Sequence, residues 1–420
     1  MHLQKLKLIN YRNYENFEGC FDHLKTIIIG QNAQGKTNIL EAINILATSQ
    51  SDRAEKDNDL VYWNKEHSLI FATIQTTGGT GCAALSEPRP PHRDVESRLG
   101  LWRDMHPLEI ALQINPAGRR KLKINDVAKK APQADLLGNF FAVMFSCDDL
   151  YLIKGSPSVR RNWLDSVIFQ LNSKYHKTMQ DYQKLITQKN ALLKSARETG
   201  ISKKTLKEQL EIWNDQIINS GSEIISTRLN FIEDIKPIAK DFQENISKHT
   251  ESLDLIYKST VSSEGNVPGP HFQEPRLLRE TFKKALDRSL DEELGRGQSV
   301  IGPHRDDLSF LINEKEAKSF ASQGQQRSIV LAVKLAELKV IENRKGEIPV
   351  LLLDDVFAEL DESRQDFLLH NLPENIQIFL TTTHLSGIQK EFLQGAQILE
   401  IKNGQVIGTN PVGADTLVCP

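Results

Sequence analysis

Two segments at opposite ends of this chain are complementary halves of one nucleotide site, and their separation dictates how the chain can fold. Near the start, the apolar run Ile27-Ile28-Ile29 leads into Gly30-Gln31-Asn32-Ala33-Gln34-Gly35-Lys36-Thr37. This fits G-x-x-x-x-G-K-[ST], the phosphate-binding loop, in the strand–loop–helix context that motif requires. Near the end, Val350-Leu351-Leu352-Leu353 leads into Asp354-Asp355, an apolar strand that delivers two carboxylates. Ahead of it, Ser322-Gln323-Gly324-Gln325-Gln326-Arg327 opens an amphipathic helix carrying Ile329, Val330, Val333, Leu335 and Leu338. A site divided this way requires the two ends to fold together while the middle projects as an insert.

The residue types suit the chemistry. Glycines let backbone N–H groups turn inward around a phosphate without a clashing side chain. Lys36 would reach the β- and γ-phosphates, the Thr37 hydroxyl would bind Mg²⁺, and the helix beginning there, through about Leu46, adds its positive dipole end. Gly30 to Asn38 are therefore the candidate ATP-binding residues of this half. At the other half, Asp354 would hold Mg²⁺, directly or through water, and Asp355 would orient or deprotonate the attacking water. Ser322, Gln323, Gly324 and Gln325, at a helix N-terminus, make a second anion-binding surface. Each element also has a plain structural reading. The loop is a chance match in a glycine-containing turn, strand-end acids cap helices, and Ser322 is an ordinary N-cap.

Composition narrows the class. Of 420 residues, 39% are hydrophobic and 25% charged, ordinary for a globular protein with room for two or three domains. A formal net charge of -3 means that any contact with nucleic acid must come from a local basic surface. No apolar stretch approaches the ~20 residues that span a bilayer. The four cysteines (Cys20, Cys82, Cys147 and Cys419) form no C-x-x-C, so neither a disulfide framework nor a cysteine zinc site is expected. The reading is a reduced, cytoplasmic protein.

Periodicity gives the organisation. Residues 1–29 read as two or three strands, and 61–75 and 108–125 contain more. Residues 77–106, rich in Gly, Pro and Arg, read as a long surface loop, and another loop covers 260–275. From Arg160 to about Leu193 the apolar residues recur at helical spacing. After a break at Thr199-Gly200 a second series runs from Leu206 through Ile224. Two antiparallel helices would form a short arm.

The three motifs in this order resemble the heads of ATP-binding-cassette (ABC) ATPases, with Ser322–Gln326 similar to their signature and Ala358-Glu359-Leu360-Asp361 to the loop after the acidic strand. More specifically, the chain resembles the RecF family of bacterial recombination mediators, related to the structural-maintenance-of-chromosomes (SMC) proteins. The resemblance covers nearly the whole chain. It rests on Leu8–Tyr14, Gly35–Ile43, Asp149-Leu150, Lys154–Pro157, Arg160-Arg161, Leu164-Asp165, Gly302–Leu308, the signature region and Leu352–Asp361. Residues 48–57 and 87–94 depart from the family pattern.

That resemblance implies an α/β, ABC-type P-loop head, a mixed sheet with flanking helices, assembled from residues 1–152 and 298–420, with a mostly helical arm domain inserted over 153–297. It implies that Ser322, Gln323, Gly324 and Gln325 contact ATP held by another subunit, so that binding drives homodimerisation, and that Asp361 is a further ATP-binding residue. It also implies action on double-stranded DNA at gaps or single-strand/double-strand junctions, a partnership with RecR and RecO in loading the RecA recombinase, and weak, DNA-stimulated ATP hydrolysis. Turnover is expected to be slow because Asp355 is one methylene shorter than the usual Glu. His384 occupies the region where ABC ATPases keep a γ-phosphate-sensing His. An ABC transporter ATPase subunit would carry its signature much closer to the phosphate loop, and an SMC-like chromosome-organising ATPase would need a far longer arm. Two basic segments are candidates for DNA contact: Lys174 to Lys207, and Arg119-Arg120-Lys121-Leu122-Lys123.

Overall fold

The computed structural model describes residues 1–54, 56–76, 107–116, 118, 120–200, 202–262, 274–385 and 388–411. The expected loop at 77–106, most of that at 260–275, and Arg119 lie outside them. In chain order the elements begin β1 (His2–Tyr11), β2 (Tyr14–Cys20), β3 (Lys25–Ile29), α1 (Lys36–Thr48), β4 (Ser68–Gln75), β5 (Leu108–Ile114), β6 (Lys121–Ile124), β7 (Val127–Ala128), α2 (Pro132–Leu136) and β8 (Ala142–Ser146). They continue α3 (Tyr151–Lys154), α4 (Pro157–Leu171), α5 (Ser173–Thr199), α6 (Lys203–Ile246), β9 (Leu253–Lys258), α7 (Pro275–Arg296), β10 (Asp307–Ile312), β11 (Lys315–Glu316), α8 (Ala317–Phe320) and α9 (Gln323–Lys345). The last are β12 (Val350–Asp354), α10 (Glu362–His370), β13 (Ile378–Thr382), α11 (Lys390–Leu393), β14 (Ala396–Lys402) and β15 (Gln405–Pro411).

Two compact units share these elements. The first takes Met1–Ser146, Ile341–Asp361 and Leu372–Pro420; the second takes Cys147–Val340 and Glu362–Asn371. Their limits fall at other positions than the 1–152, 153–297 and 298–420 partition. The strand at Asp307–Ile312 and most of α9 go with the helical unit.

The first unit holds two six-stranded sheets. In the order β15-β14-β3-β13-β12-β8, every neighbouring pair is parallel except the β14–β15 hairpin. Parallel strands are covered on both faces and so read as unbroken apolar runs. Ile27, Ile28 and Val350 through Leu353 are fully buried. The register Leu353↔Leu380 and Leu380↔Ile27 brings the C-terminal ends of β12, β13 and β3 to one edge, where the phosphate loop starts. The second sheet, β2-β1-β4-β5-β6-β7, is antiparallel and has one buried face. Leu3, Leu6, Leu8, Ile70, Ile110, Leu112 and Leu122 fill that face.

The second unit contains the helical arm together with a three-stranded antiparallel sheet, β11-β10-β9, which the sequence reading did not anticipate. The helical pattern from Arg160 to Leu193 is not one helix. Asn172 stops it at φ -149° and caps α5, its side chain accepting from the Tyr175 N–H at 3.2 Å. Gly200, at φ 68°, ends α5, and the Ser202 hydroxyl caps α6. Leu193, Ala196, Leu206, Leu210 and Leu290 make a buried cluster that ties this hairpin to α7.

The segment Gly302–Leu308 acts as an architectural joint. Buried Asp306 accepts hydrogen bonds from Tyr257 Oη (2.8 Å), Ser259 Oγ (3.1 Å), Thr260 N (2.7 Å) and Thr260 Oγ1 (2.8 Å). Asp307 takes a two-point contact from Arg160 at 2.7 and 2.9 Å. Fully buried Arg228 donates to Asp165 and to the Pro303 carbonyl, linking α4, α6 and the strand β10 that follows. Desolvated charges survive here because Arg160 and Arg228 are paired with Asp307 and Asp165, while Asp306 is held by four hydrogen bonds.

One expectation is corrected. Cys20 is disulfide-bonded, whereas Cys147 is exposed and takes no part in a disulfide. Spacing along the chain does not reveal which thiols meet in space. Among the described residues no helix is long and apolar enough to cross a membrane.

Candidate nucleotide site

The apolar strand β3 ends at Ile29, and the loop Gly30–Gly35 returns the chain into α1. Gly35 has φ 109°, and a Cβ there would lie 2.6 Å from Asn13 Nδ2 and 2.7 Å from Tyr14 Oη. A Cβ on Gly30 would lie 2.5 Å from the Ile401 carbonyl oxygen. Both glycines are therefore demanded by close approach, and Gly35 by its left-handed conformation as well. Gln31, Asn32 and Ala33 stand exposed at the loop's crest, whereas Lys36 is buried. The Lys36 ammonium curls back to the loop, donating to the carbonyls of Gly30 at 2.7 Å and Gln31 at 3.1 Å. Thr37 Oγ1 donates to Asp354 Oδ1 at 2.9 Å, and Thr381 Oγ1, from β13, donates to the same oxygen at 2.7 Å.

Asp355 follows at φ 54°, a left-handed conformation that turns the chain sharply off the end of β12. Its backbone N–H is held by Thr381 Oγ1 at 3.0 Å. Burial pushes its carboxyl up from the usual aspartate range, with neighbouring Asp354 adding to the shift and Lys36 opposing it. Asp361 lies exposed just past the turn that follows. His384 is two residues beyond β13, exposed, its N–H bonded to Thr382 Oγ1 at 3.3 Å. The other carbonyl partner at this edge is Thr382 O, which accepts from Gly30 N at 3.3 Å.

The signature residues belong to the second unit. Ser322 Oγ accepts from the Gln325 N–H at 3.3 Å while the Gln325 side chain accepts from the Ser322 N–H at 2.8 Å, a reciprocal cap on α9. Gln325 also reaches Glu251 at 2.9 Å. Arg364 fastens the first turn through Gly324 O and Ser328 Oγ, both at 3.0 Å. Ser322 and Gln323 remain exposed, so the cap fixes the helix end without covering it.

The RecF/RecN/SMC N terminal domain family matches residues 2–405. A DNA replication and repair protein RecF from Acaryochloris marina is 39% identical over 97% of this chain and 99% of its own length. One from a Cyanothece species is 38% identical over 98% and 99%. A solved structure of the recombination mediator protein RecF with ATP, in the RecFOR pathway, superposes with a TM-score of 0.81 at 31% identity, covering 97% of each chain. The chain belongs to the RecF family. Its architecture is that of an ABC-type ATPase head, mixed α/β, with a long helical arm.

Several residues around the RecF-type loop escaped the sequence reading. Asn13, in the β1–β2 turn, donates to Gln34 O at 3.1 Å and accepts from Asn38 at 2.8 Å. From the other side, the β14–β15 turn gives the Asn403 N–H to the Gln34 side chain at 2.5 Å and the Gly404 N–H to Gln34 O at 3.2 Å. Two turns from distant parts of the chain thus clamp one loop residue. An Asn-Gly pair between strands was the legible signal for the second turn.

Beside the loop lies a cavity of about 410 Å³ lined by Arg12, Asn13, Asn38, Arg53, Tyr62 and Trp63, among others. Arg12 is fixed by a two-point pair with Glu41, which also accepts from Tyr11 at 3.0 Å. The cavity's rim is the stretch after α1. It is anchored by Arg120, which grips Asp57 at 3.0 and 2.6 Å and Ser49 O at 2.6 Å. Trp63 stands 86% exposed on it.

Proposed function

We propose that this chain is an ATP-operated switch of DNA repair: ATP binding joins two copies on gapped or junction-bearing duplex DNA, and slow hydrolysis releases them. The observation that carries the reading is the preformed contact of Thr37 with Asp354 inside a doubly clamped phosphate loop. Lys36 supplies a positive charge for the β- and γ-phosphates, and the adjoining cavity, with one aromatic wall and two arginines, suits the nucleoside end.

The donor set at Thr37 and Asp354 is oxygen only. No cluster of three or more His, Cys, Asp or Glu able to hold a metal occurs among the described residues. Such a pair fits Mg²⁺, which keeps most of its ligands as water and phosphate oxygens. The ion would supply charge neutralisation between the phosphates. Asp355 would accept the proton of the attacking water, and its short side chain reaches less far than a glutamate, which agrees with slow turnover. Ser322, Gln323, Gly324 and Gln325 would meet the γ-phosphate held by a second copy, and Asp361 would also contact ATP; the exposure of Ser322 and Gln323 at a capped helix end supports this reading. The relatives' names support a role in replication and repair, and the reading extends to RecR, RecO and RecA as partners and to the cytoplasm as its place.

The test is solution mass with and without ATP–Mg²⁺ and a gapped duplex. A monomer that becomes a dimer with ATP is expected. Lys36→Arg weakens the dimer, Asp355→Asn stabilises it, and Ser322→Arg abolishes it while ATP still binds. A species indifferent to ATP and to Ser322 would overturn the reading.

A further inference from the structure

The sequence offered two basic segments for DNA, and the structure separates them. Along the arm five of the nine Lys and Arg residues from Lys174 to Lys207 are engaged in ion pairs. Lys174 pairs with Glu223 at 3.0 Å, Lys184 with Asp181 at 3.1 Å, Lys203 with Asp291 at 2.6 Å and Lys207 with Asp287 at 3.1 Å. Lys189 is buried against Glu293. In the other segment Arg120 is spent on Asp57, so it holds the fold and does not face solvent. Lys121 and Lys123 differ: they are exposed and alternate with buried Leu122 and Ile124. Lys130, on the return side of the hairpin, is also exposed. Lys121, Lys129 and Lys130 form no ion pair among the described residues. Lys123 has only a loose contact with Asp126, at 3.8 Å between two exposed groups, which contributes little.

The presentation is rigid. Asn125 and Asp126 turn the hairpin with φ 48° and 61°, the paired left-handed residues of a tight two-residue turn. Asn125 is stitched to β5 by its N–H to Glu109 O at 2.9 Å and its side-chain oxygen to the Glu109 N–H at 2.8 Å. Strand β7 is the sheet's edge. Next to the lysines, the open face continues through Ala111, which is opposite Lys123, and Gln113, opposite Lys121. Acids nearby include Glu109 on β5, Asp126 in the turn, and Asp135, which accepts from the Ala131 N–H beside Lys130 at 3.0 Å. Two lysines on one face of a strand, two residues apart, stand about 6.8 Å from each other, twice the roughly 3.4 Å rise per phosphate of a DNA strand.

We infer that the β6–β7 hairpin, through Lys121, Lys123 and Lys130, is a docking surface for the phosphate backbone of duplex DNA. Such contacts position a duplex without reading its sequence. The inference rests on the DNA reading above and names the surface that reading leaves open.

The experiment measures affinity for a gapped duplex, with ATP–Mg²⁺ present, over a range of salt concentrations. Three proteins are compared: the parent, Lys121→Gln/Lys123→Gln/Lys130→Gln, and an arm control, Lys177→Gln/Lys194→Gln/Lys204→Gln. The hairpin variant is expected to bind more weakly at low salt. Its log–log salt slope should be shallower by roughly 2 to 3, near one unit per lost phosphate contact, with unchanged ATP affinity and melting. The arm control should keep the parent slope. A hairpin variant with the parent slope, or a loss confined to the arm control, would overturn this surface while leaving DNA binding intact. A parent that binds no duplex would instead overturn the DNA reading, and the surface with it.

Discussion

Thr37 Oγ1 and Asp354 Oδ1 are 2.9 Å apart although 317 positions separate them in the chain. A second hydroxyl, from Thr381, meets the same oxygen, so the Asp354 carboxylate is oriented before any ligand arrives. Removing its charge should therefore harm the metal-dependent step more than the fold. Asp354→Asn is expected to lower ATP turnover at least about 100-fold, the usual scale for losing an electrostatic stabiliser. It should also erase the gain in ATP affinity that Mg²⁺ gives. Phosphate release and calorimetric titrations with and without Mg²⁺ check both, and an unchanged Mg²⁺ dependence would count against the assignment.

Asp355 gives turnover a pH dependence with a definite sign. Burial raises its pKa, so at acidic pH it is protonated where an ordinary aspartate is already ionised. As a proton acceptor it works only when ionised, so turnover should rise with pH along an acid limb above the usual aspartate range. Asp355→Asn should remove that limb together with the activity. For stability the sign is opposite: a carboxyl with a raised folded-state pKa favours the folded state at low pH, and that contribution is lost as pH climbs from the unfolded to the folded value. Turnover profiles and denaturant midpoints across the same pH range separate the two effects.

How far the site could be read beforehand depends on whether its parts are local. Gly30–Thr37 and Val350–Asp355 are contiguous, and their apolar runs are those of strands buried on both faces, so pattern alone placed them. Asn13, Asn403 and Gly404 touch Gln34 only because β1, β3 and β14 assemble far from one another in sequence. A single sequence carries no trace of that pairing. The helical run around Asn172 misled for the opposite reason: apolar spacing continued through a residue whose side chain caps a new helix. The basic run at Lys174–Lys207 could not be weighed from sequence because several of its counter-ions, Glu223, Asp287 and Asp291, lie on other helices.

The clamp on Gln34 ties a turn of the C-terminal hairpin to the phosphate loop. Gly404 sits at φ 71°, and a Cβ there would lie 2.7 Å from the Asn13 carbonyl oxygen. Gly404→Ala should cost about 1–3 kcal/mol of stability through that strain. It should also weaken ATP binding, because displacing the turn frees Gln34. Gln34→Ala should weaken ATP binding with a smaller stability loss. Urea titrations alongside nucleotide titrations decide the matter: if Gly404→Ala lowered stability but left ATP affinity intact, the turn would be scaffold alone.

Lys189 and Glu293 form an ion pair with about 1% exposure on each side, where α5 meets α7. Glu293 has further donors, Ser299 Oγ at 2.8 Å and Val300 N at 3.1 Å, so its charge is well satisfied. Burial pulls the Lys189 pKa down, and the glutamate opposes that shift. Lys189→Met would leave a carboxylate uncompensated in a dry site, at a cost of about 3–5 kcal/mol. Glu293→Gln in the same chain should recover much of that loss, because the amide keeps the shape and an acceptor for Ser299 without the charge. The nucleotide loop belongs to the other compact unit, so ATP affinity measured below the melting transition should stay at the parent value in both variants. Thermal melts of the single and double variants test this: equal destabilisation in the two would mean that lost packing of the lysine stem, not the orphaned charge, dominates at this joint.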